Sequence, residues 1–317
     1  MKIKEIFIMK NIEKKFLIMI VYDQNTIAGG ENMEQNHFIQ SIEETYHSLT
    51  KVEKKVADYV LQNPRQVLFM SITDLADACQ VGETSVYRFC RTMNLQGYQE
   101  FKMQLSLGMS DQDEEWAPSA DNRNLEKSLK DSAESLLQKH VEALEETYRL
   151  LNQESFEGFP ERMEKARRIF FFGVSDSQLI AQEAGNKFMS ISGKAYSISD
   201  PHMQAVTAAS MTEEDFLVIF SYSGATKDNI YTAKIARQAG AGIGCITRFQ
   251  KSPLSAYCDV VLQCGANEGP MEGGSVSAKI GQMYLIDLLY QEYWRRNYET
   301  SRTYRENASK AVMDKLY

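Results

Sequence analysis

Short apolar runs separated by stretches of helical periodicity fill the second half of the chain. Strands that are buried on both faces of a sheet are apolar throughout, so such runs predict parallel strands with helices on either side. The sequence therefore predicts an α/β domain with a five-stranded parallel sheet flanked by helices. The predicted strands are IFFFGV, KAYSI, FLVIFS, GIGCIT and VVLQC.

The first half of the chain has a helical pattern only. From about His37 to Leu107, apolar residues recur at three- and four-residue spacing, and no strand-like alternation interrupts them. The first long helix of this region should stop at Asn63-Pro64, because the residue before a proline disfavours the helical conformation. The pattern predicts an all-α bundle ahead of the α/β domain, and thus a two-domain protein.

Two short helices joined by a tight turn are predicted in the middle of this bundle. Ser71 and Asp74 have the spacing of a capping box and open the first helix. Gly82 can cap the second, which begins at Glu83. This pairing is typical of a helix-turn-helix, although any compact helical bundle also contains short helices and tight turns.

The second of these helices has an apolar and a polar side. Its inward positions are Val86, Phe89 or Cys90, and Met93. Hydroxyls and a bidentate arginine near a helix N-terminus can reach base edges in the major groove, and Arg91 and Lys102 are placed to meet phosphates. The candidate DNA contacts are Thr84, Ser85, Tyr87, Arg88, Arg91 and Lys102.

Length and composition agree with two folded units. A chain of 317 residues exceeds what one small core organises, and 43% hydrophobic with 25% charged residues is ordinary for a folded protein. The net charge of −8 argues against a nucleic-acid partner only if it is spread evenly. Between residues 81 and 102, three basic residues oppose two acidic ones, so the local charge permits DNA binding.

The cysteines and histidines give no sign of a metal or disulfide framework. The five cysteines include no C-x-x-C pair, and they lie in stretches that read as helix or strand. The four histidines are scattered along the chain. Buried free thiols in a reducing compartment are the favoured interpretation, and neither a metal nor a cofactor is predicted.

The first 32 residues differ from the remainder. Lysines and two glutamates, Glu5 and Glu13, interrupt the apolar clusters, so there is neither a span of ~20 apolar residues nor a convincing signal peptide. We expect residues 1–32 to be a non-native or flexible extension, and the helix-turn-helix domain to cover 33–110. Translation would begin at Met33, because codons for Gly30-Glu31 can form a ribosome-binding sequence.

A polar, acidic stretch interrupted by Pro118 predicts a linker over 111–124. Beyond it, an apolar stripe predicts a long helix that packs against the following domain or, alternatively, pairs across a dimer and carries a signal between domains. This coupling helix and the α/β domain together should cover 125–317. The stripe comprises Leu125, Leu129, Leu136, Leu137, Val141, Leu144, Tyr148 and Leu151.

A hydroxyl-rich loop follows the third predicted strand and leads into a helix. Ser221, Ser223 and Thr226 could surround an anion at the positive end of that helix, and Gly224 would let backbone N–H groups approach it. The first strand ends in a second polar loop with Ser175, at the same edge of the sheet. Alternatively, these hydroxyls serve only as helix caps.

Residues 48–105 resemble the N-terminal domain of the RpiR family of phosphosugar-responsive regulators. The shared features are Asn63-Pro64, Met70-Ser71-Ile72, Arg88-Phe89-Cys90-Arg91, and Gly97-Tyr98 followed by Phe101-Lys102. The sequence departs from the family at Gly82, where serine is usual, and at Gln80, a turn position that often holds glycine. Residues 165–290 resemble the sugar isomerase (SIS) domain, a phosphosugar-binding fold, through FFGVSDS, SYSGATKDNI and Ser252-Pro253-Leu254.

The SIS resemblance implies that hydroxyl residues of the two polar loops bind a phosphosugar. Ser221, Ser223 and Thr226 should hold a phosphate, and Ser175 should touch the phosphate or sugar hydroxyls. The predicted phosphosugar ligands are Ser175, Ser221, Ser223, Gly224, Thr226 and Ser277. Weaker candidates are Lys187, Asp200, His202 and Glu272.

Together the two resemblances imply a cytoplasmic transcription regulator of sugar or amino-sugar metabolism whose DNA affinity depends on a bound sugar phosphate. The predicted partners are operator DNA, the sugar-phosphate effector and further copies of the chain in a homodimer or homotetramer, with no membrane. The alternative is a phosphosugar isomerase with Glu268 or Glu272 and His202 as acid and base. A regulator is favoured, because an enzyme has no evident use for a helix-turn-helix.

Overall fold

The computed structural model describes residues 37–109, 128–266, 269, 275–313 and 315. The predicted extension over 1–32, the start at Met33 and the linker over 111–124 lie outside the described residues. Glu268 and Glu272 lie outside them as well.

The N-terminal region is the predicted helical bundle. α2 ends at Gln62, and Pro64 occupies the first turn of α3, where its missing N–H costs no hydrogen bond. Phe89, Phe101 and Leu75 are fully buried in the core. The helices are α1 (His37–Thr45), α2 (Lys51–Gln62), α3 (Pro64–Leu68), α4 (Ile72–Cys79), α5 (Glu83–Thr92) and α6 (Tyr98–Met109).

The first helix of the helix-turn-helix, α4, begins with the predicted capping box. Asp74 N–H donates to Ser71 Oγ at 3.0 Å, and Ser71 N–H donates to Asp74 Oδ2 at 3.1 Å, which completes the capping box. Gln80 ends α4 in the left-handed region at φ +54°, which costs a non-glycine residue about 1–2 kcal/mol. Gly82 begins α5 without a side-chain cap. The two departures from the family pattern therefore leave the helix-turn-helix intact.

The C-terminal region contains the predicted parallel sheet. Its strands run in the order β2-β1-β3-β4-β5, and every neighbouring pair is parallel. From β1 the chain adds β2 on one side of the sheet and β3, β4 and β5 on the other, so the strand order reverses between β1 and β3. Ligands of such sheets bind at this point of reversal, beyond the carboxyl ends of the strands. The strands are β1 (Arg168–Gly173), β2 (Ala195–Ser197), β3 (Asp215–Phe220), β4 (Gly242–Thr247) and β5 (Val260–Gln263).

Helices cover both faces of this sheet. Phe171 of β1 joins the core on one face, whereas Phe170 and Phe172 join the core on the other. Side chains on the two sides of one strand thus pack against two different layers of helices. The helices of this domain are α9 (Asp176–Ser192), α10 (Pro201–Ala209), α11 (Lys227–Gln238), α12 (Val276–Arg296) and α13 (Tyr298–Met313).

Two helices, α7 (Leu129–Arg149) and α8 (Gln153–Lys165), precede the sheet. The expectation that the apolar stripe of α7 packs against the following domain is wrong for most of its members. The residues that α7 buries are Ala143 and Thr147, and their small size allows a close approach to α12. Five large apolar side chains instead face solvent, and we call them the outer face of α7: Leu129, Leu136, Leu137, Val141 and Tyr148.

The cysteines are free thiols, as predicted. Cys79, Cys90, Cys245 and Cys264 are buried, and Cys258 is partly exposed. Burial raises the pKa of the Cys90 thiol to about 12, so this side chain behaves as an apolar core residue. Over the described ranges, the helices are too short or too polar to cross a bilayer.

Candidate functional site

The loop between β3 and α11 has a conformation that requires glycine at position 224. Gly224 has φ +60°, and a Cβ atom there would lie 2.3 Å from Ser252 Oγ. Leu254 N–H donates to the Gly224 carbonyl at 2.9 Å. Residues 252–254 therefore hold the loop against the end of the sheet.

The hydroxyls of this loop are not used as caps of α11. Thr226 occupies the N-cap position, but its side chain makes no capping bond. Ser221 Oγ is buried and has no hydrogen-bond partner. Ser223 Oγ accepts a bond of 3.2 Å from Ala225 N–H. Because buried hydroxyls are normally bonded, Ser221 has an unused capacity that a ligand oxygen at this helix N-terminus could satisfy.

The loop between β1 and α9 is strained. Ser175 has φ +55° and ψ −126°, a conformation that costs a non-glycine residue about 1–3 kcal/mol, and its side chain does not cap α9. Gly173 is needed just before it, because a Cβ atom there would lie 2.5 Å from the Ser177 carbonyl oxygen. Strain of this kind is concentrated at binding sites, so the conformation indicates a functional role for Ser175.

A cavity of about 310 Å³ lies between these two loops. Its wall on the α/β side combines the ends of β1, β3 and β4 with the first turns of α12. The helical bundle closes the opposite side. The lining residues are Val174, Ser175, Asp176, Ser177, Tyr222, Ser223, Thr226, Arg248, Phe249, Gly269, Ser275, Ala278, Lys279 and Gln282 from the α/β domain, with Leu68, Phe69, Gln99 and Lys102 from the bundle.

Positive charge exceeds negative charge among these lining residues. The cations are Arg248, Lys279 and Lys102, and the carboxylate is Asp176. Lys279 pairs with Asp176 at 3.2 Å. Arg248 pairs at 2.7 Å with Glu146 of α7, behind the cavity wall. The cavity is therefore suited to an anion whose other parts carry hydrogen-bonding groups.

The structure brings most of the predicted phosphosugar ligands together. Ser175, Ser223 and Thr226 line the cavity, and Ser221 and Gly224 belong to the same loop. Ser277 is not among the lining residues. The positions of α12 that face the cavity are the N-cap Ser275 and then Ala278, Lys279 and Gln282, so Ser277 lies on another side of the helix.

None of the weaker candidates among the described residues lines the cavity. Lys187 forms an ion pair with Asp287 between two helices. Asp200 caps α10 by accepting a bond of 2.8 Å from Met203 N–H. His202 is exposed in the first turn of the same helix. Glu272 lies outside the described residues.

Arg248, Lys279 and Gln282 are cavity residues that the sequence analysis did not predict as ligands. A signal existed for Arg248, because it directly follows β4 and therefore reaches the same edge of the sheet as the two polar loops. Lys279 and Gln282 could have been found from the helix period once Ser275 is taken as the start of α12. Across the described ranges, no three potential metal ligands cluster together.

The polar side of α5 forms a second candidate site, for DNA. Val86, Phe89 and Cys90 are fully buried, as predicted. The opposite side is open to solvent, with Tyr87 44% exposed and Ser85 partly exposed. The exposed polar residues of this side are Thr84, Arg88 and Arg91.

Lys102 does not share this surface, which corrects the expectation that it meets DNA phosphates. Its side chain is buried, at 5% exposure, between the bundle and the α/β domain. The ammonium lies 5.2 Å from the ring centre of Tyr98 and 5.8 Å from that of Phe249. Phe249 covers Lys102 from the second domain, and helical periodicity cannot reveal such a contact.

Comparison with known proteins finds a matching family model for each of the two domains. Residues 36–112 match the model of the helix-turn-helix domain of the rpiR family, and residues 162–291 match that of the SIS domain. An HTH-type transcriptional regulator of Haemophilus influenzae is 36% identical over 263 residues, which cover 81% of this chain and 90% of that protein.

Solved structures with similar folds agree with this placement. The Vibrio vulnificus NanR protein complexed with ManNAc-6P aligns with a TM-score of 0.79 at 27% identity, over 88% of this chain and 98% of that chain. The sugar isomerase domain of an RpiR transcription factor from Sphaerobacter thermophilus shares the fold at 20% identity and a TM-score of 0.52, over 56% of this chain and 98% of that chain. The chain therefore belongs to the rpiR family of helix-turn-helix transcriptional regulators with a SIS domain.

Proposed function

We propose that this regulator senses a phosphorylated sugar in the cavity at the carboxyl ends of β1, β3 and β4, and that the bound sugar changes its affinity for operator DNA. The observation that carries the proposal is the unbonded, buried Ser221 hydroxyl directly after β3, in the same loop as Ser223 and Thr226, which line the cavity. The similar NanR structure, complexed with ManNAc-6P, supports a phosphorylated amino sugar as the ligand class.

In this proposal each part of the cavity wall has a separate task. The Ser221–Thr226 loop and the first N–H groups of α11 hold the phosphate, because a helix N-terminus favours negative charge. Arg248 and Lys279 can donate charge-assisted hydrogen bonds to the phosphate. Ser175 and Gln282 are left to bond the sugar hydroxyls and so to select among sugar phosphates.

We further propose that α5 reads the operator in the cytoplasm as part of a homo-oligomer. Thr84, Ser85, Tyr87, Arg88 and Arg91 would contact DNA, with the recognition helices of two subunits spaced about 34 Å apart or a multiple of it. The outer face of α7 supports self-association, because several large apolar side chains exposed on one helix are typical of protein contacts.

The helix-turn-helix domain and the HTH-type relatives favour a sensor over an isomerase. An isomerase needs a base and a proton-transferring partner over the sugar carbons. Asp176, the carboxylate among the described lining residues, is paired with Lys279, and His202 is not one of those lining residues. Incubation with hexose phosphates at enzymatic concentrations tests this, and turnover would overturn the assignment.

A Ser223→Ala variant is expected to bind its sugar phosphate at least about tenfold more weakly, because a hydrogen bond to a charged group contributes about 1.5–3 kcal/mol. Calorimetric titration with a panel of hexose, N-acetylhexosamine and pentose phosphates measures this. Operator binding without effector should be unchanged. Ser210→Ala, an exposed serine at the end of α10, is the matched control. Equal affinities in the wild type and Ser223→Ala, or no ligand in the panel, would contradict the proposal.

A further inference from the structure

The DNA-binding domain contacts the α/β domain at the segment that follows β4. Ser71, the N-cap of α4, donates its hydroxyl to the Lys251 carbonyl at 3.0 Å. The Lys251 ammonium pairs with Asp77 of α4 at 2.6 Å. Both contacts involve the first helix of the helix-turn-helix, so the orientation of this motif depends on residues 248–252.

The same segment supports the proposed phosphate loop. Ser252, next to Lys251, is the residue whose hydroxyl would lie 2.3 Å from a Cβ atom at Gly224. Thr247 Oγ1 donates to the Tyr222 carbonyl at 3.1 Å, just before Ser223. A shift of the phosphate loop would therefore be felt, through one short segment, at the contact with α4.

Lys102 is the bundle residue that brings a charge to the cavity wall. Its Nζ donates to the Met70 carbonyl at 3.3 Å, and it forms no ion pair with a carboxylate of the described chain. Burial lowers the pKa of this ammonium to about 8, although the nearby Asp74 carboxylate opposes the shift. A buried cation without a counter-ion is unfavourable, and an anionic ligand would relieve this cost.

We propose that Lys102 is an effector ligand supplied by the DNA-binding domain: its ammonium contacts the anionic group of the bound sugar phosphate across the cavity. This inference rests on the proposed function and deepens it. The effector then binds both domains at once and stabilises their docked arrangement. Coupling between sugar and operator is thereby built into the ligand site, because a ligand shifts an equilibrium toward the state that it binds better.

A Lys102→Met variant separates this role from a structural one. It should bind its sugar phosphate, and inorganic phosphate as a minimal probe, at least about tenfold more weakly, since one charged contact is lost. Its thermal unfolding midpoint should stay the same or rise, because an apolar residue replaces a buried, unpaired charge. Lys55→Met, at an exposed lysine of α2, is the matched control for the change in charge. A lower midpoint with unchanged ligand affinity would overturn the proposal.

The pH dependence of binding gives a second readout. Above pH 8 the free Lys102 ammonium loses its proton, so affinity should fall from pH 7 to pH 9, whereas the phosphate monoester, with a second pKa of about 6, stays a dianion. Lys102→Arg, which keeps its charge, should remove this decline. The ionisable groups that face Lys102 are Asp74 of α4 and Tyr98 of α6, with Arg248, Asp176 and Lys279 across the cavity.

The Ser223→Ala variant distinguishes failure of this inference from failure of the proposed function. If Ser223→Ala binds more weakly while Lys102→Met keeps the affinity and pH dependence of the wild type, the role of Lys102 as a ligand is rejected and the sugar-phosphate site is not. Unchanged binding in both variants would reject the sugar-phosphate site itself. Weaker binding in both, with a flat pH profile in Lys102→Arg, is the result that we expect.

Discussion

An Arg88→Ala variant is expected to lose specific operator binding while it keeps its affinity for sugar phosphates. Arg88 is exposed on α5 between Thr84 and Arg91, on the side opposite the buried Val86 and Phe89. A bidentate arginine contact to a base contributes about 1–3 kcal/mol. In the proposed dimer the contact is lost at both half-sites, so the affinity should drop by about a hundredfold or more.

Fluorescence anisotropy with a labelled promoter of the regulator's own or neighbouring genes measures this loss, at a stated salt concentration. Arg302→Ala is the matched control, because Arg302 is an exposed arginine of α13. Calorimetry of Arg88→Ala with the sugar phosphate should match the wild type. A parallel loss of both activities would contradict the division between the two sites.

Gly224→Ala should have the largest effect on the effector site. The new Cβ atom would lie 2.3 Å from Ser252 Oγ and 2.5 Å from Ser252 Cβ, and the backbone has φ +60°. The loop must therefore move away from the segment after β4, which displaces Ser223 and Thr226. We expect sugar-phosphate affinity to fall by about a hundredfold and the free energy of unfolding to fall by about 1–3 kcal/mol.

A double variant tests whether the clash is the cause. Gly224→Ala combined with Ser252→Gly removes the two atoms in conflict, so part of the affinity should return, and the cost of the left-handed alanine, about 1–2 kcal/mol, should remain. Gly97→Ala is the control, because a Cβ atom there meets Tyr87 at an ordinary 3.5 Å. A double variant no better than Gly224→Ala would point to backbone strain alone.

The fold could be predicted because its signals are local. The apolar runs of β1 to β5 differ from the helices in length and period. The capping box of Ser71 and Asp74, which are three residues apart, marks the start of α4. The apolar stripe of α7 predicted a covered surface but not what covers it: most of the stripe does not pack against the α/β domain, and its pairing across a dimer stays a prediction. Ala143 and Thr147, which do face the domain, carry little hydropathy signal.

The sequence grouped the hydroxyl loops, whose Ser175, Ser223 and Thr226 line one cavity, but it did not predict residues that reach the cavity from other parts of the chain. Ser221, Ser223 and Thr226 belong to one short segment of the chain, so their grouping was visible in the sequence. Lys102 comes from another domain, and its burial depends on Phe249. Ser277 was misplaced because the rotation of α12 is set by its start at Ser275, and no sequence pattern specified that residue.

The ion pair between Arg248 and Glu146 connects the cavity wall to α7, and α7 also carries exposed apolar side chains. Glu146 also accepts a bond of 3.0 Å from Ala266 N–H, so it holds two parts of the wall at once. In an oligomer assembled through these exposed side chains, filling one site would alter how readily the neighbouring subunit fills its own. Gene expression would then respond to the metabolite as a threshold rather than in proportion to it.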